Sequence, residues 1–430
     1  MAETPSIIWM GWIVNAIEMT KRSDSTLPAE IILIYGSLDT GGIETLIVRI
    51  ANFFAFSGIN VAVCFSTGGE LRSSLDNRVS IIKYNETSDL ITAVHKYHQQ
   101  TSVMDQALVI SFDPISAARA LIVETALSHR AQVSHITGVF HPHAYFMNGE
   151  RKDRIFLNYL VAQAIGKEHI FFMNEECRDA HGAKWGADLS VSQLLALPVN
   201  HVDATWSPSG NATLRIVSVG RLVGFKAYNM GAAKIVRVCL DQGVAVTWDI
   251  YGYGVQRDAI QAEIDLIGVT SSVRLMDKLD YSRFESTLVT YDLFVGMGTS
   301  ALEAAMMGLP TICATINEAA RCYGYLHELP FGNVGELQSK PPKVGMAELI
   351  QRYSAFGHDE RVLLSKQCRA AAENYGLPKF ANALAQMAAS THIKTSNFNK
   401  RVIAGVYRLA TESYLVKFFR GVASKKARLL

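Results

Sequence analysis

Two cations, Arg221 and Lys226 in "SVGRLVGFK" (218–226), and one carboxylate, Glu303 in "GMGTSALEAAMMGLPT" (296–311), have types and spacing that bear directly on chemistry in this chain of 430 residues. A guanidinium and an ammonium that converge at the end of a strand suit a diphosphate, which is held by charge-assisted hydrogen bonds. The alternative is a pair of solvated loop charges. Around Glu303, Thr299 or Ser300 is a helix cap, good helix formers follow, and Gly308 and Pro310 stop the helix. The first amides of such a helix and the positive end of its dipole attract phosphate. A carboxylate one turn in can accept hydrogen bonds from sugar hydroxyls beside that phosphate. The alternative for Glu303 is only to complement the dipole, worth about 0.3–1 kcal/mol, but the helix is too apolar to face water.

Glycines mark further turns. "GSLDTGGIE" (36–44) offers Gly41 and Gly42, Gly220 precedes Arg221, and "YGYG" (251–254) holds Gly252 and Gly254. Such turns let backbone approach a ligand closely. None matches the dinucleotide fingerprint or the phosphate loop with its Gly-Lys-Ser/Thr, and "YGYG" also reads as an ordinary turn.

The elements that must position these residues alternate as a parallel sheet requires. "EIILIY" (30–35) is a short apolar run, "GSLDTGG" a turn, and "IETLIVRIANFFAFSG" has helical spacing. "NVAVCF" (60–65), "ALVISF" (107–112), "VSHITGVF" (133–140) and "HIFFMN" (169–174) continue the series. It breaks at "LPVNHVDATWSPSGNAT" (197–213), rich in Pro, Ser, Asn and Gly. A second series follows: "LRIVSVG" (214–220), "VTWDIYGYG" (246–254), "VRLMD" (273–277), "DLFVGMG" (292–298) and "PTICAT" (310–315). The expectation is an α/β protein with two doubly wound, Rossmann-like domains and a ligand cleft between them. The domains are placed at 29–205 and 206–385, with an N-terminal extension, 1–28, and a helical basic tail, 386–430.

Length alone favours two cores over one, and 49% hydrophobic against 19% charged residues excludes a disordered or fibrous chain. The apolar run Ile7–Val14 is much shorter than a bilayer span, and Glu3 stands where a secretory signal has cations, so cytoplasmic residence is expected. Six cysteines in no metal-ligand spacing read as reduced thiols. Residues 391–430 hold nine Lys or Arg and one Glu, so this stretch carries +8 of a net +2 and the rest of the chain −6. With Val, Ile, Tyr, Leu and Phe interspersed, the tail reads as a basic amphipathic helix, suited to an anionic membrane surface or to packing across the first domain. Nucleic-acid binding fits less well, because the cations are confined to the tail.

"GRLVGFK" with Arg221 and Lys226, together with "GMGTSALEAAMMGLPTICA", resembles the donor site of the GT-B glycosyltransferases, in particular glycosyltransferase family 4. "GSLDTGGIETLIVRIANFFAFSGINVAV" is similar to that family's first glycine turn and helix, and the likeness runs in order from about residue 30 to about residue 390. The resemblance implies a GT-B fold and a nucleotide-diphosphate-sugar donor held mainly by the C-terminal domain. It implies donor-side roles for Gly41, Gly42, Gly220, Arg221, Lys226, Gly252, Gly254, Met276, Gly298, Thr299, Ser300 and Glu303. Arg221 and Lys226 would hold the diphosphate, Glu303 the ribose, and amides around Gly298–Ser300 the phosphate. In "HITGVFHPHAYF" (135–146), His141, with His143 in reserve, matches the histidine that the family carries beside the transferred sugar. The implied activity is transfer with retention to a glycan or lipid-linked acceptor, in bacterial cell-surface polysaccharide or lipopolysaccharide assembly. No Asp-x-Asp occurs, which agrees with leaving-group stabilisation by Arg221 and Lys226 without a metal; no cofactor is expected. One departure stands out: the family has two glutamates eight positions apart, and eight before Glu303 this chain has Val295. That departure favours a non-catalytic nucleotide-sugar-binding module. A sugar-nucleotide epimerase on the same fold would need an extra pair of cleft carboxylates, which the sequence does not offer.

Overall fold

The computed structural model describes residues 28–39, 41–101, 106–129, 132–147, 152–200, 202–338, 340–390 and 397–412. The expected N-terminal extension, apart from residue 28, and the tail cations from Lys417 onward lie outside the described residues. The chain divides into two compact units: residues 1–196 with 378–430, and residues 197–377.

The first unit is built on a six-stranded sheet of β1 (Glu30–Ile34), β2 (Asn60–Phe65), β3 (Ser80–Lys83), β4 (Gln106–Ser111), β5 (Gln132–Val139) and β6 (Ile170–Phe172), in the order β3-β2-β1-β4-β5-β6. Every pairing is parallel. Continuous apolar strands follow from burial on both faces: all five residues of β1 are buried. The crossovers include α1 (Gly42–Phe56), α2 (Thr87–Thr101), α3 (Pro114–Leu127), α4 (Lys152–Ile165) and α5 (Glu175–Trp185). Helix α3 starts on a complete capping box: Asp113 accepts from the Ser116 amide at 2.6 Å, and the Ser116 hydroxyl accepts from the Asp113 amide at 3.0 Å, with Pro114 opening the helix.

The first unit closes with chain from far downstream, α12 (Leu377–Ser390) and α13 (Asn397–Glu412). Helix α13 packs on α3 and α4, burying Ala404 and Tyr407. Its Lys400 ammonium reaches Glu124 of α3 at 2.6 Å, both side chains being buried. Burial raises the Glu124 pKa and Lys400 opposes that rise. Beside the pair, His135 of β5 bonds Ser111 at 2.9 Å, and its pKa is held well below the ordinary value by burial, then by Lys400 and His169. Of the tail beyond residue 396, the described portion is therefore docked helix.

The second unit carries a seven-stranded sheet of β7 (Leu214–Val219), β8 (Val246–Tyr251), β9 (Val273–Met276), β10 (Leu293–Gly296), β11 (Thr311–Ala314), β12 (Arg321–Tyr325) and β13 (Val344–Gly345), in the order β13-β12-β11-β10-β7-β8-β9. Strands β7 to β11 are parallel, while β12 and β13 add an antiparallel edge that periodicity did not reveal. They are short and flanked by polar turns, so neither shows a clean alternation. Its helices are α6 (Tyr228–Asp241), α7 (Arg257–Ile267), α8 (Phe284–Leu288), α9 (Thr299–Met306), α10 (Met346–Ser354) and α11 (His358–Ala372). The Pro- and Ser-rich stretch after residue 197 lies along this unit: the Trp206 amide donates to the Met307 carbonyl at 2.8 Å and its indole to Tyr291 at 2.7 Å.

Each unit is thus a doubly wound, Rossmann-like α/β layer structure. Among the described residues no helix is long and apolar enough to cross a membrane.

Candidate functional site

In the second unit the strand order reverses between β7 and β10: β7 leads to β8 on one side and has β10 as its other neighbour. At such a reversal the connections leave in opposite directions, and a crevice opens at the carboxyl ends of the two strands. Two predicted motifs flank it. The loop after β7 carries Gly220, Arg221 and Lys226; the turn after β10 carries Gly298, Thr299 and Ser300 and starts α9. A side-chain bond ties them together, because the Ser300 hydroxyl donates to the Val219 carbonyl at the end of β7 at 3.0 Å.

The cap assignment needs correction. Gly298, not Thr299 or Ser300, is the N-cap of α9, with φ 74°, and no side chain caps the helix. The Ser300 hydroxyl is spent on Val219, and the tight turn out of β10 needs a left-handed residue, which favours glycine. The Gly298 amide is not at the helix mouth for a ligand either, since it donates to the Val334 carbonyl at 2.8 Å. That leaves the amides of Thr299 and Ser300, which open the helix with no carbonyl a turn before them.

Lys226 folds back over Gly220 so closely that a Cβ there would lie 2.7 Å from its ammonium. The ammonium is largely enclosed, and burial, then the neighbouring Arg221, lower its pKa to about 8. Among the described residues neither Arg221 nor Lys226 has an acidic partner. Two neighbouring like charges repel, and an anion between them would relieve that repulsion.

Glu303 is the fifth residue of α9 and is 4% exposed, in a helix otherwise buried through Ala301, Leu302, Ala304, Ala305 and Met306. Its Oε1 accepts from the Tyr281 hydroxyl at 3.2 Å. Tyr281 lies in the connection after β9, and nothing in its spacing relative to Glu303 announces the contact. Val295 is fully buried inside β10, its carbonyl accepting from Ser218 at 2.5 Å, so the position eight before Glu303 belongs to the core of the sheet.

The other donor-side candidates have close neighbours of their own. Gly252 packs against the loop after β7: a Cβ there would collide with the Gly220 carbonyl oxygen. Gly254 is similarly pressed against Leu222, whose amide donates to Tyr253 at 2.8 Å. Met276 ends β9, and its carbonyl takes a hydrogen bond from Arg257 at 2.8 Å that fastens β9 to the turn after β8. Gly41 and Gly42 belong to the first unit, where Gly41 caps α1 and Gly42 opens it. His141 follows β5 and is exposed; its Nδ1 accepts from the His143 amide at 3.1 Å. Partial covering and then His143 lower its pKa, with Glu176 opposing. Among the described residues no group of three or more His, Cys, Asp or Glu could hold a metal ion, and all six cysteines are buried thiols outside any disulfide.

No protein-family model matches the sequence, and no curated protein does. Solved structures do. A glycosyltransferase from Rickettsia africae superposes with a TM-score of 0.57 at 11% identity, covering 85% of this chain and 99% of that one. A sucrose-phosphate synthase from Thermosynechococcus elongatus gives 0.56 at 14%, covering 84% and 98%. The lipopolysaccharide outer core galactosyltransferase WaaB gives 0.54 at 17%, covering 85% and 100%. At such identities the likeness is one of fold, and the fold of this chain is GT-B.

Proposed function

We propose that this chain is a retaining glycosyltransferase of the family 4 kind. It moves a sugar from a nucleoside-diphosphate sugar to a glycan or lipid-linked acceptor without a metal, in assembly of bacterial cell-surface polysaccharide or lipopolysaccharide. The observation that carries this reading is the pair Arg221 and Lys226, without an acidic partner among the described residues, beside the start of α9 where the strand order reverses. The similar solved structures support it, since those reported above are sugar transferases or a sugar-phosphate synthase by name.

In this mechanism the acceptor hydroxyl oxygen attacks the anomeric carbon while the bond from that carbon to the phosphate oxygen breaks. The electron pair of that bond goes to the diphosphate, which also takes the acceptor proton on the same face. Negative charge grows on the leaving group, and fixed cations with the Thr299 and Ser300 amides stabilise it more than the ground state. Glu303 holds the ribose, and His141 carries the role beside the transferred sugar. The protein resides in the cytoplasm, with the basic tail resting on the anionic inner face of the membrane.

Calorimetric titration without added metal against uridine, guanosine and adenosine diphosphate sugars tests the reading. One donor is expected to bind, and Glu303→Ala and Arg221→Ala each to weaken it about tenfold or more without lowering the melting temperature appreciably. Wild-type affinity and turnover in both variants would show that the site lies elsewhere. Val295 in the sheet core favours a second reading, binding without catalysis; donor that binds but is never consumed, with a broad panel of glycan and lipid-linked acceptors present, selects it.

A further inference from the structure

A buried glutamate on a helix of small apolar residues has three side-chain torsions to fix and needs hydrogen-bond donors to fix them. For Glu303 one donor is the Tyr281 hydroxyl, 3.2 Å from Oε1. In the sheet, β9 and β10 lie on opposite sides of β7 and β8, so this bond joins the connection after β9 to the helix after β10. The Tyr281 ring stacks on Phe284, the first residue of α8, at 6.1 Å between centroids. Phe284 is itself buried, so the tyrosine has a fixed base although Tyr281 as a whole is 60% exposed. A phenol donates without changing charge at neutral pH, and it therefore orients the carboxylate without competing as a second anion.

We propose that Tyr281 is a positioning residue that sets the selectivity of the donor site for ribose over deoxyribose. The inference rests on the reading of Glu303 as the ribose acceptor given above. The two adjacent hydroxyls of a ribose present paired donors, which a carboxylate receives together only when its plane faces them. The Tyr281 bond limits rotation of that plane. A nucleotide that lacks the 2′-hydroxyl offers a single donor, which a rotating carboxylate follows as easily as a fixed one. Fixing the plane therefore favours ribonucleotides, and releasing it removes the preference.

Uridine, guanosine and adenosine diphosphates and their 2′-deoxy counterparts serve as probes, titrated into the full chain and into Tyr281→Phe, Glu303→Gln and the double variant. The exposure of Tyr281 makes Tyr281→Phe compatible with folding, which an unchanged melting temperature verifies. For the ribonucleotide that binds best, Tyr281→Phe is expected to weaken affinity about tenfold. Affinity for its 2′-deoxy form should stay within about twofold, so the ribose preference collapses. In the Glu303→Gln background the tyrosine substitution should add nothing, since the two residues act as one unit. Equal weakening of both nucleotides, or additive effects in the double variant, overturns the role of Tyr281 and leaves Glu303 standing. Full ribonucleotide affinity in Glu303→Gln, or no binding by any probe, overturns the ribose reading and this inference with it.

Discussion

At the scale of single residues, Lys226 carries the sharpest consequence. An ammonium with a pKa near 8 in place of 10.5 is a charge that the fold holds at a cost. The sign follows directly: the folded protein binds this proton less well than the unfolded chain, so the cost is complete below about pH 8 and fades as pH rises toward 10.5. Lys226→Met is therefore expected to stabilise the ligand-free protein by on the order of 1–2 kcal/mol at pH 7, while abolishing donor binding. Denaturant unfolding at pH 7 and pH 10 checks it, and the gain should shrink at the higher pH. A bound diphosphate favours the charged form, so donor binding near pH 8 should take up about half a proton and weaken as pH rises further. Calorimetry in buffers of different ionisation enthalpy reads that uptake. A lysine that served only to hold its own loop would stabilise the protein and show neither effect.

At the scale of elements, the start of α9 depends on the turn that delivers it. Gly298 sits at φ 74° and gives its amide to Val334, and Ser300 anchors the first turn to the end of β7. Gly298→Ala is expected to cost about 1–2 kcal/mol through the left-handed backbone and to weaken donor binding by moving the Thr299 and Ser300 amides. Thermal unfolding and donor titration of the same variant check both. Much of this element was legible in the sequence. The apolar run into "GMG", the helix formers after it and the Gly-x-Pro stop place strand, turn and helix, because local chain chemistry decides them. What the sequence hid were partners brought in from a distance. Ser300 reads as a cap because hydroxyls at that position commonly cap, yet the neighbouring strand end claims it. Tyr281 is invisible as a partner of Glu303, because 22 residues and a crossover separate them and no periodicity records such a contact. The strands β12 and β13 were hidden for a related reason: their pairing is a property of the sheet edge that they complete.

At the scale of the whole molecule, the first unit is closed by a helix from the far end of the chain. Lys400 meets Glu124 at 2.6 Å where both are buried, with His135 close by, its pKa held well below the ordinary value by burial. Lys400→Met leaves a buried carboxylate without its cation, and a loss of about 3–5 kcal/mol is expected. Glu124→Leu combined with Lys400→Met should recover most of it, since an apolar pair of similar volume replaces an ion pair at little cost. Hydrogen exchange locates the effect: amides of α3 and α4 should lose protection in the single variant, while the second unit keeps its own. The cations of the tail, which composition presents as one amphipathic run, therefore divide by task, with Lys400 serving the protein interior. The order of synthesis follows from the same connection. The ribosome finishes residues 197–377 before it makes α13, so Glu124 must wait for its lysine until another whole unit has been translated. Until then the nascent first unit keeps α3 without its cover, and a chain released early at that stage exposes an apolar helix face that quality-control proteases and chaperones can read.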